Sequence, residues 1–253
     1  MKIAISGKGG VGKTTISALI ARALADKNQS VLAVDADADA NLASALGLDL
    51  SEGKIKPIAE LEELIEEKMG TGDKTGQGLY VMNPSVADIP ENFSVESDGV
   101  KFLAAGTVKT GGRGCYCAEN KLLKRLINHL ILQDDEAIVI DMEAGLEHFS
   151  RGTGEGVDLF LVVIEPGMRS IETALDIKKM AEDIGVKKVY GILNKVRNQE
   201  EVKLVKEKLT EIEILAELPY NSEIARADLE GISPAQAVNE DYKTRISHIL
   251  ESI

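Results

Sequence analysis

The chain has 253 residues, 44% of them apolar, with 42 acidic against 29 basic side chains for a net charge of −13, and it holds two cysteines and no tryptophan. That apolar content supports a sizeable core and excludes intrinsic disorder, while the acidic surplus argues against nucleic acid as a partner, since phosphate backbones are held by clustered Lys and Arg. Two thiols cannot staple a chain of this size, so both are read as free cysteines in a reducing compartment. Met1 runs straight into the strand-like Lys2-Ile3-Ala4-Ile5-Ser6, which leaves no room for a secretory leader, and no apolar run approaches membrane-helix length. A cytoplasmic location without a membrane anchor is expected.

In chain order, short β-branched runs alternate with longer amphipathic stretches. Strands are predicted over 2–6, 31–35, 79–83, 101–105, 137–141, 159–164, 188–193 and 213–218. Helices are predicted from Thr14 to Lys27, Leu42 to Leu46, Ile58 to Met69, Ala118 to Leu132, Ser170 to Ile184, Gln199 to Leu209 and Pro234 to Ile253, with Ser170 and Ser233 as caps. Such alternation predicts an α/β fold, a doubly wound and mostly parallel sheet with helices on both faces. With no fixed-period repeat and no Pro/Ser-rich linker, residues 1–253 are expected to form one domain. The Glu-rich helix near 58–69 and the Gly-rich stretch after it read as a solvated helix and loop, a docking surface being the alternative.

The strongest chemical signal is Gly7-Lys8-Gly9-Gly10-Val11-Gly12-Lys13-Thr14-Thr15. It fits the phosphate-loop pattern G-x-x-x-x-G-K-[ST] and lies between the first strand and the first helix, as that motif requires. Its glycines let successive backbone N–H groups form an anion nest, to which the helix N-terminus adds positive potential. Lys13 is expected to reach the β- and γ-phosphates, and the Thr14 hydroxyl to take a Mg²⁺ coordination position.

The additional Lys8 makes this segment resemble the deviant Walker A ATPases, which include MinD, ParA and the nitrogenase iron protein. The resemblance implies that Lys8 crosses to the nucleotide of a second subunit in an ATP-bound homodimer. Val34-Asp35-Ala36-Asp37-Ala38-Asp39 is similar to the family's first switch, with Asp37 orienting the attacking water or the Mg²⁺ shell. Ile138-Val139-Ile140-Asp141-Met142-Glu143-Ala144-Gly145 is similar to the second, with Asp141 reaching Mg²⁺ through water and the Gly145 N–H sensing the γ-phosphate. Asn194, in Ile192-Leu193-Asn194-Lys195, resembles the adenine-reading residue, and Leu218-Pro219-Tyr220 the segment that closes over the base. The guanine-reading N-K-x-D pattern is absent, because Val196 and Arg197 follow Lys195. ATP/ADP with Mg²⁺ is therefore the expected cofactor set, and Lys8, Lys13 and Asp37 the expected catalytic residues.

Both cysteines fall in Arg113-Gly114-Cys115-Tyr116-Cys117, just before a predicted helix whose N-terminus, with Arg113, favours thiolate. Two thiolates are half of a tetrahedral site, so a symmetric dimer would supply Cys115 and Cys117 from each chain to one Ni²⁺ or Zn²⁺ on the two-fold axis. A bridging 4Fe–4S cluster and a redox dithiol are the alternatives. The phosphate loop, this Cys phrase and Asp141-Met142-Glu143-Ala144-Gly145 with Glu147-His148 together resemble the CooC-type ATPases. That resemblance implies an accessory protein for nickel insertion, with carbon monoxide dehydrogenase or the related acetyl-CoA synthase as client. A ParA/MinD-like positioning ATPase and an electron-transfer ATPase are the rival readings.

Overall fold

The computed structural model describes residues 1–37, 39, 41–48, 55–70, 81, 84–106, 117–130, 136–143 and 157–253, with only the backbone at 117–120. One mixed sheet organises them. Its strands are β1 (Lys2–Gly7), β2 (Ser30–Ala36), β3 (Val95–Ser97), β4 (Val100–Ala104), β5 (Glu136–Met142), β6 (Leu159–Ile164), β7 (Val189–Val196) and β8 (Glu213–Pro219), in the spatial order β3-β4-β2-β5-β1-β6-β7-β8. All pairings are parallel except β3 with β4. The fold is the predicted α/β class.

Strand alternation divides the apolar residues between two cores. Ile3, Ile5, Val139, Leu161 and Val163 face α1 (Lys13–Asp26), while Ala4, Ile138, Ile140, Phe160 and Val162 face the opposite layer, which includes α5 (Cys117–Leu130) and α6 (Met168–Asp183). Because both faces are covered, the central strands have no polar face, and 159–164 is fully buried as its unbroken apolar run predicts. Smaller helices complete the layers: α2 (Leu42–Ala45), α3 (Glu62–Met69), α4 (Ile89–Phe93), α7 (Gln199–Lys208), α8 (Ser222–Glu230), α9 (Pro234–Ala237) and α10 (Glu240–Glu251). Among the described residues no helix is long and apolar enough to cross a membrane.

Several expectations are corrected. The helix predicted to start at Ser170 begins at Met168, with Gly167 as its N-cap, and the Ser170 hydroxyl instead accepts the Glu165 N–H. Ser233 stands at the N-cap of α9, but its hydroxyl donates to the Ala45 carbonyl rather than capping the helix. The single last helix is two, because Val238 is extended and the Asn239 side chain starts a new helix by accepting the Tyr242 N–H. Helix α8, capped by Asn221, and the β3–β4 hairpin were not anticipated. That hairpin turns through Asp98 (φ 47°) and Gly99 (φ 77°), the Asp-Gly pair a tight two-residue turn favours. Of the strand predicted at 79–83 only Val81 is described, and it lies outside any strand. Helix 58–69 is a 3₁₀ turn, Ile58–Glu60, followed by α3.

β1 lies between β5 and β6, so its C-terminal end opens into the crevice where open α/β sheets bind ligands. Gly7 ends it with φ 153°, and a Cβ there would sit 2.4 Å from the Val163 carbonyl oxygen, a backbone atom that cannot move aside cheaply. Gly7→Ala is expected to destabilise the protein by about 1–3 kcal/mol, read as a lower urea midpoint with an unchanged denaturant slope.

Candidate functional site

The phosphate loop joins β1 to α1. Gly12 is the N-cap of α1 and adopts φ 96°, a left-handed conformation suited to glycine, and Val11 is buried beneath the loop. The N-terminus of α1 therefore faces a cleft of about 700 Å³ lined by Gly9, Gly10, Gly12, Lys13, Thr14 and Thr15. Asp37, Asp39, Asn41 and Glu143 line it on one side, and Asn194, Lys195, Pro219, Tyr220 and Tyr242 on the other. Loop donors and the helix end make the floor a site for polyphosphate.

Charges converge on that floor. Lys13 is largely buried, with Nζ 3.7 Å from Asp37 Oδ2, while Asp37 Oδ1 accepts the Asp39 N–H at 3.0 Å. Asp141, paired in register with Ile5 on β1 and Asp35 on β2, is fully buried. Its Oδ1 accepts the Ser17 hydroxyl at 3.1 Å, and its Oδ2 has no hydrogen-bond partner among the described residues. Burial pushes the Asp141 carboxyl up to about 7; the Asp35 charge adds to this, and the Thr14 and Ser17 hydroxyls and Lys13 oppose it. Asp35 rises to about 6, also through burial, although it accepts the N–H groups of Asp37 (3.1 Å) and Leu42 (2.9 Å).

These observations separate the three acids of the 35–39 run. Asp35 is a structural anchor that holds the turn and the start of α2, Asp37 faces Lys13, and Asp39 is exposed. The donor set also fits Mg²⁺: hard oxygen ligands are available at Thr14 and Asp37, and Asp141 has a buried oxygen with no hydrogen-bond partner among the described residues. Lys8 lies at the rim, its Nζ 3.4 Å from Glu165 Oε1 in the same chain.

At the far end, Asn194 is nearly buried and both ends of its amide are engaged: Nδ2 donates to the Val11 carbonyl at 2.9 Å and Oδ1 accepts the Tyr242 hydroxyl at 3.3 Å. Pro219 ends β8, and Tyr220 follows with Arg197 stacked 5.6 Å from its ring centre. The structure thus gathers Gly7, Lys8, Gly9, Gly10, Val11, Gly12, Lys13, Thr14, Thr15, Asp37, Asp141, Asn194 and Pro219 around one crevice. Gly145, His148 and Cys115 lie outside the described residues, and Cys117 is seen only as the first backbone position of α5. Among the described residues no group of three or more His, Cys, Asp or Glu is placed to hold a metal ion. Sequence reading missed Ser17, Lys195 and Tyr242. Ser17 had a signal, a polar residue one turn beyond Lys13 on the face of α1 that must be buried.

Comparison with known proteins agrees with this geometry. Residues 2–235 match the family described as the CobQ/CobB/MinD/ParA nucleotide binding domain. The chain is 44% identical to the carbon monoxide dehydrogenase accessory protein CooC of Rhodospirillum rubrum, covering 92% of this chain and 89% of that one. It is 41% identical to an ATP-binding protein of Methanocaldococcus jannaschii, over 96% and 93% of the two chains. Among solved structures, the cell division ATPase MinD of Pyrococcus furiosus superposes with a TM-score of 0.68 at 24% identity, covering 100% of this chain and 99% of that one. The chain belongs to the CobQ/CobB/MinD/ParA nucleotide-binding family and is an ATPase of its deviant Walker A branch, of the CooC type.

Proposed function

We propose that this ATPase is a cytoplasmic metallochaperone, formed from residues 1–253 as one domain, that assists nickel insertion into carbon monoxide dehydrogenase or the related acetyl-CoA synthase. The observation that carries the proposal is the 44% identity, over nearly the whole chain, to a carbon monoxide dehydrogenase accessory protein. The Cys115-Tyr116-Cys117 phrase gives it a chemical means. Thiolates suit nickel and zinc, and two chains meeting on a two-fold axis would complete a four-sulfur site from two identical halves. Nickel is cargo here rather than a resident cofactor. In this reading nucleotide state and metal carriage are coupled, and α5, which begins at Cys117, leads in chain order into β5, the strand that carries Asp141.

In the hydrolytic step water attacks the γ-phosphorus and ADP leaves. Lys13 and the loop N–H groups hold the β- and γ-phosphates, Asp37 orients the water, and Lys8 from a second copy neutralises charge developing in the transition state. Thr14, Asp37 and Asp141 would hold Mg²⁺, which when bound screens the phosphates from the surrounding carboxylates. Gly145 is assigned to sensing the γ-phosphate, and Asn194 and Pro219 to the adenine end. Beyond its two partners the Asn194 amide keeps one N–H and one oxygen lone pair with which to read a base.

Lys13→Ala is expected to abolish ATP turnover. Lys8→Ala should lower kcat by about 10³-fold or more, the scale of an in-trans cation, while leaving Mg-ADP affinity within about threefold. A Lys8→Ala enzyme with wild-type kcat would contradict the in-trans role. Equilibrium dialysis should find one Ni²⁺ per two wild-type chains and none in the double variant Cys115→Ala, Cys117→Ala. Equal binding by both would remove the shared-thiolate site.

A further inference from the structure

At the end of β7 two consecutive side chains grip the same loop. Asn194 Nδ2 donates to the Val11 carbonyl, and Lys195 Nζ donates to the Gly10 carbonyl. In a regular strand adjacent side chains point to opposite faces. Here the pairing with β8 shifts register between Leu193 and Val196, and Lys195 sits at φ 58°, a left-handed conformation uncommon for any residue but glycine. A strand irregularity of this kind re-aims side chains, and it is what brings both onto the phosphate loop. Strain at a non-glycine residue persists only where its surroundings over-determine it.

The loop is shaped for this grip. A Cβ at Gly12 would lie 2.7 Å from Asn194 Nδ2, so the loop closes against the amide only because position 12 is glycine. Behind Asn194, the Tyr242 hydroxyl of α10 donates to Oδ1 and thereby turns the amide N–H₂ toward Val11. Burial pushes that phenol up to about 12, so it remains a donor at neutral pH.

The consequence follows from peptide planarity. A carbonyl and the N–H of the next residue share one trans peptide and point in opposite directions. Holding the Gly10 and Val11 carbonyls outward therefore aims the Val11 and Gly12 N–H groups the other way. Among the described residues, the Val11 N–H makes a long 3.4 Å contact to the Lys8 carbonyl. We propose that Lys195 is a positioning residue of the ATPase, which together with Asn194 clamps two loop carbonyls so that the intervening N–H groups are set for phosphate. The clamp requires nucleotide binding only, and is independent of the identity of cargo or client.

The test separates positioning from stability. Lys195→Gly removes the clamp and also the left-handed strain, so the nucleotide-free protein should unfold at the wild-type temperature or above it. Its affinity for Mg-ADP, measured by titration calorimetry, should nevertheless fall about tenfold, the scale of one charge-assisted hydrogen bond. Lys195→Met should lose a similar factor, and Lys195→Arg, which keeps a charged donor, should retain most of the affinity. Unchanged Mg-ADP affinity in the Gly and Met variants would overturn the proposal. So would a loss that tracks a lowered unfolding temperature in the Gly variant, or one as large in the Arg variant as in the Met variant.

Discussion

A carboxylate buried without full satisfaction is the constraint around which the crevice is arranged. Asp141 sits at the centre of the sheet, fully inaccessible, with one oxygen on Ser17 and the other without a partner among the described residues. Leaving a charged oxygen unpaired in such a place is expensive, and burial accordingly pushes the Asp141 carboxyl up to about 7. Every neighbour acts on that cost. Asp35 on the adjacent strand worsens it, while Thr14, Ser17 and Lys13, all on α1, relieve it in part. A hard divalent cation brought in with a triphosphate would satisfy Asp141 more fully, so the strands that bury this acid and the loop that binds phosphate belong to one electrostatic arrangement.

Lys8 is only weakly held within one chain. Within one chain it pairs with Glu165 at 3.4 Å, and both side chains are about one-third exposed. A pair this exposed contributes about 0–1 kcal/mol. In the proposed dimer, the polyphosphate of a second copy would carry more charge and, once enclosed, a lower local dielectric, so it would compete readily for the same ammonium. In the proposed cycle the contact with Glu165 is the resting position of a lysine whose working position lies across the interface.

Much of this was legible in the sequence, for identifiable reasons. The phosphate loop is contiguous, and its chemistry follows from backbone conformations that only glycine adopts easily, so Gly7 through Thr15 could be read directly. The central strands were legible because burial on both faces leaves unbroken apolar runs such as 159–164. The three acids at 35, 37 and 39 were not separable by composition alone. Only the pairing of β2 with β5 shows that Asp35 is turned inward beside Asp141. The joint action of Asn194 and Lys195 was hidden because it depends on a register shift against β8, a strand distant from the loop in sequence. Tyr242 was hidden similarly, since its role needs the break at Val238 that sets the direction of α10.

The central claim is that ATP state and nickel carriage are two readings of one equilibrium. It is tested most directly by measuring Ni²⁺ affinity with a non-hydrolysable Mg-ATP analogue and with Mg-ADP, and then the affinity for the analogue and for ADP with and without Ni²⁺. The account predicts that the analogue and ADP differ in their effect on Ni²⁺ affinity, and that Ni²⁺ changes their relative affinities by the same factor, as linkage requires. Ni²⁺ affinity that is identical in both nucleotide states would contradict it.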